Sequence, residues 1–218
     1  MDPSRTDALP VATSAGPLHA AYRFHAALAL GASTVGTLFV APSEPRRMLR
    51  RLRENGPVVL VPLAWTFATA AHLDLLAVRT VLIGHLVMDL VLVAFAVLSW
   101  TEMREGVLLA WKVVLLVGLG FTLLGTATLY ASPGNLALLR LVVLGWMLVP
   151  AAGLAYTGRH VASGTAPWVY TAGAGLSVLG AAAYLAGPAL PSGPLAVAGL
   201  VLVGVGQTAG IANAVYQY

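Results

Sequence analysis

The sequence predicts an all-α integral membrane protein, a polytopic bundle of seven transmembrane helices. Three observations carry this. Hydrophobic residues make up 59% of the 218 positions and charged residues only 9%, whereas a soluble domain is roughly one quarter charged. The apolar residues fall in blocks of about 20, the length that crosses a hydrocarbon core of about 30 Å. The links between blocks, such as TEMREG, SPGN and GPALPSG, are short and rich in turn formers. Short links make consecutive helices antiparallel neighbours, as in one bundle.

The chain opens with a polar tail over residues 1–17, and residues 18–218 form a single transmembrane domain. The tail is not a secretory signal, because it is polar and the apolar run after it is long enough to stay as a span. The first segment is Leu18–Val40, followed by the basic loop PSEPRRMLRRLRENGP. The second is Pro57–Leu76 and the third Thr80–Trp100; only HLDLLAVR separates their apolar cores, so six spans result if one of this pair is re-entrant. The fourth is Val107–Ala131, the fifth Leu136–Tyr156, the sixth Trp168–Ala186 and the seventh Pro194–Tyr216.

Arginine distribution sets the expected orientation through the positive-inside bias. Arg46, Arg47, Arg50, Arg51 and Arg53 crowd the first loop, and alternate loops add Arg104 and Arg159. The opposite side has Arg5 and Arg79. This places the N-terminus outside and the C-terminus inside a cell membrane crossed several times. The basic balance lies mostly in that one loop and does not suggest nucleic-acid binding; the expected surroundings are the lipid bilayer. Lys112 is the only lysine among the twelve basic residues, which fits the coding bias of a GC-rich prokaryotic genome.

Several chemistries are excluded. There is no cysteine, hence no disulfide, no Cys-ligated zinc and no iron–sulfur cluster. There is no Gly-rich phosphate loop followed by Lys-Ser or Lys-Thr, and no HExxH zinc motif. The last segment holds no lysine for a Schiff base.

Ionisable residues in spans are costly and mark sites. At about 1.5 Å per residue, His25 lies roughly 10 Å below the outer end of the first helix. His85 is roughly 8 Å below that of the third, Asp89 roughly 6 Å deeper, and His72 near the outer end of the second. His85 and Asp89, at i and i+4, share one helix face. Three histidines with an open position suit a metal ion, so His25, His72 and His85 are candidate metal ligands. His25 and His85 are alternatively candidate axial ligands for haem. Asp89 is the candidate proton acceptor.

A second expectation is a channel or transporter for protons or a small solute, lined by Asp89, Arg140 and Gln207. A third is a non-catalytic membrane subunit or assembly factor. Gly206 and Gly210 form a GxxxG pattern, a face on which a second copy or a membrane partner would pack. Stripes of small and hydroxyl residues, Gly118, Thr122, Thr126 and Tyr130 in the fourth segment among them, read as close helix packing.

Overall fold

The computed structural model of the chain describes residues 44–187 and 194–217, with side chains from Gly56 onward. The chain forms two compact units, 1–49 and 50–218; the packing that follows is that of the second. Among the described residues the protein is all-helical. Six α-helices follow one another: α1 (Glu44–His72), α2 (Val78–Leu98), α3 (Gly106–Ala131), α4 (Leu136–His160), α5 (Pro167–Ala186) and α6 (Pro194–Gln217). A 3-10 turn at Ser163–Thr165 precedes α5. Helices α2 to α6 are long and apolar enough to cross a membrane, and α1 adds the shorter apolar stretch Gly56–His72. The expected first span, Leu18–Val40, and the 1–17 tail lie outside the described residues.

Local chemistry explains the helix boundaries. Asn135 caps α4, its side-chain oxygen accepting from the Leu138 N–H at 3.2 Å. Proline opens α5 and α6, where the missing N–H is no loss. Asp74 takes φ 56° in the α1–α2 turn, a left-handed conformation that a short polar side chain tolerates.

Two helices run further than the hydropathy pattern predicts. Helix α1 starts at Glu44, so most of the expected basic loop is helical. Arg, Leu, Met and Glu are strong helix formers, and helicity does not require lipid. The helix also continues through Pro57 and Pro62. Helix α4 passes Tyr156 and ends at His160. The polar last turn is held by Thr157, whose hydroxyl donates to the Gly153 carbonyl at 2.8 Å. The His160 ring stacks on Tyr156 with centroids 3.9 Å apart.

The bundle is apolar outside and small or polar inside. Leu90 is 71% exposed, and Leu123, Val178 and Val201 also face outward. Ser177, Gln207 and Thr122 are buried with Met147, Leu154, Leu200 and Val203. In water this arrangement would be unstable; in lipid, where tails are as apolar as leucine, small residues let backbones approach and polar groups bond across helices.

Each helix from α2 on packs against the next, and α4 also touches α6. The α5–α6 contact rests on paired glycines. Gly173 meets Gly206 and Gly180 meets Gly199, seven residues apart on each helix. A methyl group on Gly180 would lie 2.5 Å from the Gly199 carbonyl oxygen, and one on Gly206 2.6 Å from that of Gly173. A methyl on Gly210 would meet Leu154 of α4 at 2.5 Å. The Gly206/Gly210 face is therefore occupied by α4 and α5 of the same chain.

The α3–α4 contact has a different basis. Trp111 of α3 donates from Nε1 to Thr157 Oγ1 of α4 at 3.0 Å, and Trp146 of α4 donates to Thr122 Oγ1 of α3 at 3.1 Å. Each threonine hydroxyl passes its own proton to a carbonyl four residues back, Gly153 or Gly118. A methyl on Gly118 would strike the Trp146 ring at 2.7 Å. The two clasps arise from a repeat, WKVVLLVGLGFT at 111–122 and WMLVPAAGLAYT at 146–157. Each stretch places glycine seven residues and threonine eleven residues after tryptophan. On two antiparallel helices this spacing makes each tryptophan meet the threonine of the other.

Candidate functional site

Asp89 stands in the middle of α2 and is 9% exposed. Its position follows from the period of the helix: His85, Asp89, Leu92 and Ala96 lie on one stripe, and Asp89, Leu92 and Ala96 are buried. The stripe faces α3. Thr126 of α3 donates from Oγ1 to Asp89 Oδ2 at 2.7 Å. The other carboxylate oxygen, Oδ1, is buried and has no hydrogen-bond partner among the described residues.

His85 sits one turn before Asp89. Its Nδ1 lies 3.0 Å from the Val81 carbonyl oxygen. A carbonyl only accepts, so Nδ1 carries the proton and donates, which leaves Nε2 as the ring's remaining exchangeable position. The Nε2 edge rests on Gly125 of α3. A methyl at Gly125 would lie 2.8 Å from His85 Cδ2, 2.9 Å from Nε2 and 3.3 Å from Val142 of α4. Glycine at 125 thus makes the space that the imidazole fills. One residue earlier on α2, Gly84 receives the Phe67 ring of α1, 2.5 Å from where its β-carbon would be. Two adjacent glycine contacts, one on α2 and one against it, set the rotation of α2 about its axis.

The other expected site residues are placed elsewhere. His72 ends α1, and its ring centroid is 5.1 Å from that of Tyr184 on α5. Arg140, exposed in the second turn of α4, acts electrostatically on both His72 and Tyr184. His85 is instead packed against α3. Among the described residues no group of three or more histidine, aspartate or glutamate side chains is placed to hold a metal ion. His25, required by both the metal and the haem expectation, lies outside the described residues.

Gln207 is 3% exposed and its side chain is engaged on both ends. Oε1 accepts from Trp65 Nε1 of α1 at 3.0 Å, and Nε2 donates to the carbonyls of Trp146 at 3.0 Å and Met147 at 3.3 Å on α4. This binds three helices together. The residue expected to line a pathway thus joins α1, α4 and α6 through its amide.

Thr126 and Gly125 are the site residues that sequence reasoning passed over. Thr126 was visible as part of a polar stripe, but a stripe on one helix does not say which helix it meets. The Trp–Gly–Thr repeat was also legible, as self-similarity between two segments 35 residues apart. The chain matches no family model, no curated protein and no solved structure, so what it does rests on these residues alone.

Proposed function

We propose that this multi-pass helical protein moves protons, or a small cation that competes with them, across a cell membrane, with Asp89 as the binding carboxylate. One observation carries the reading: Asp89 Oδ1 is buried in mid-span without a hydrogen-bond partner among the described residues. A carboxylate there is expensive in lipid unless something neutralises it, and a proton or a monovalent cation is the smallest group that does so. Thr126 holds Oδ2 and so orients Oδ1. His85, with its exchangeable Nε2 position one turn away, is the neighbouring group through which a proton reaches or leaves the site. In the proposed orientation the arginine-rich start of α1 is cytoplasmic, the N-terminus is outside and the C-terminus inside. That puts His85 on the outer side of Asp89.

Reconstituted vesicles test this. With an internal pH dye and a potassium-diffusion potential, the protein should acidify the lumen faster than protein-free vesicles. Asp89→Asn, which still accepts from Thr126, should slow this at least tenfold, and His85→Ala should slow it less. Flux equal to that of empty vesicles, or an unchanged rate in Asp89→Asn, overturns the proposal.

A further inference from the structure

Three polar side chains stand where α1 and α5 finish and α4 begins, away from Asp89. His72 is the last residue of α1, Tyr184 stands two residues before the end of α5, and Arg140 four residues after the start of α4. The His72 ring leans on the Tyr184 ring at 5.1 Å and 60°. Tyr184 is 3% exposed, and its hydroxyl has no hydrogen-bond partner among the described residues. A buried hydroxyl without an acceptor is destabilising, and native structures rarely leave one so. Arg140 is exposed, and its charge reaches both rings. Among the described residues it makes no ion pair. Asp74, exposed in the α1–α2 turn, also acts on His72, yet it does not neutralise Arg140 by direct contact.

The three groups share one property: each has a proton to donate. A guanidinium offers paired N–H groups in a planar fork that fits two oxygens of a tetrahedral anion. The phenol adds a third donor and the imidazole a fourth. His72 is exposed, so its ring can turn aside and bring the Tyr184 hydroxyl within reach of an oxygen held by Arg140. The ends of membrane helices are also where phosphate headgroups lie.

We infer that Arg140, Tyr184 and His72 form a binding site for a phosphate-type oxyanion, presented by a lipid headgroup or as free phosphate. Arg140 carries the charge, Tyr184 supplies the buried hydrogen bond, and His72 covers the site.

Two probes read it on the full chain. The first is the thermal unfolding midpoint in neutral detergent with and without inorganic phosphate. The second is native mass spectrometry of protein released from nanodiscs containing phosphatidylglycerol and phosphatidylcholine. Wild type should gain several degrees with phosphate or retain phosphatidylglycerol severalfold over phosphatidylcholine, and Arg140→Gln should lose either effect. A response to phosphate alone identifies the free anion, and retention of phosphatidylglycerol alone identifies the headgroup. Tyr184→Phe should bind about tenfold more weakly while unfolding, without the anion, no earlier than wild type. If neither probe distinguishes wild type from Arg140→Gln, or if Tyr184→Phe binds as wild type does, the site is refuted.

Discussion

Gln207 of α6 supplies the hydrogen-bond donor that Pro150 removes from α4. Proline has no N–H, so the carbonyl four residues before it, that of Trp146, loses its helical partner. The Gln207 Nε2 lies 3.0 Å from that oxygen. Exposed to lipid, an unpaired carbonyl would have no partner at all; here a side chain from another helix replaces the missing bond. The same amide accepts from Trp65 through Oε1, so the proline break in α4 is tied to α1 as well as to α6.

Replacing Gln207 by leucine removes these bonds at nearly constant volume. Interhelical hydrogen bonds in membranes average about 0.6 kcal/mol, and leaving buried partners unpaired adds to this, so the expected loss is about 2 kcal/mol. Pro150→Ala restores an N–H to the Trp146 carbonyl. In that background the cost of Gln207→Leu should fall by about 1 kcal/mol. Unfolding free energies of the four proteins in one detergent check this; strictly additive effects would show that Gln207 does not serve the proline-freed carbonyl.

The two Trp–Thr clasps should contribute independently. Trp111→Phe and Trp146→Phe each keep an aromatic ring and lose the indole donor, at about 1 kcal/mol apiece. The tryptophan and threonine within each helix are eleven residues, or about 16 Å, apart. The double variant should therefore lose the sum. Within one clasp, Trp146→Phe and Thr122→Val should be less than additive, because either change breaks the same bond. Denaturation midpoints of the set decide between the two patterns.

Glycines of similar appearance should respond in opposite directions. Gly180→Ala drives a methyl group to 2.5 Å from the Gly199 carbonyl, and should destabilise by 2 kcal/mol or more, within the roughly 1–3 kcal/mol range of overpacking. Gly175 and Gly120 have nothing within 4 Å of an added β-carbon. Alanine there should stabilise by roughly 0.5–1 kcal/mol through backbone entropy. Thermal unfolding of the three single variants gives the comparison directly.

At the α2–α3 contact, Gly125→Ala should clash with the His85 ring and cost roughly 1–3 kcal/mol. His85→Ala should relieve the clash, so the double variant should be more stable than Gly125→Ala alone. A double variant less stable than Gly125→Ala would mean that the imidazole does not occupy the space over Gly125.

Much of the fold was legible in the chain. The limits predicted for the third to seventh segments agree with α2–α6 to within a few residues, because transfer of apolar side chains from water is a local property of about 20 consecutive residues. The face shared by His85 and Asp89 followed from the 3.6-residue period. The amphipathic start of α1 was missed because hydropathy reports insertion, not helicity.

Sequence by itself determined which segments are apolar enough to span, and that one carboxylate sits in mid-span. Only the tertiary structure decided that Asp89 is held by Thr126, that His72 lies against Tyr184 rather than beside His85, and that Gln207 repairs α4. These outcomes depend on the rotation of each helix about its axis. That rotation is set by where glycines let neighbours close in, Gly84 under Phe67, Gly125 under His85 and Gly173 against Gly206, between residues 17 to 40 positions apart. No local pattern encodes such pairings, since every glycine in a helix offers the same notch until a partner fills it.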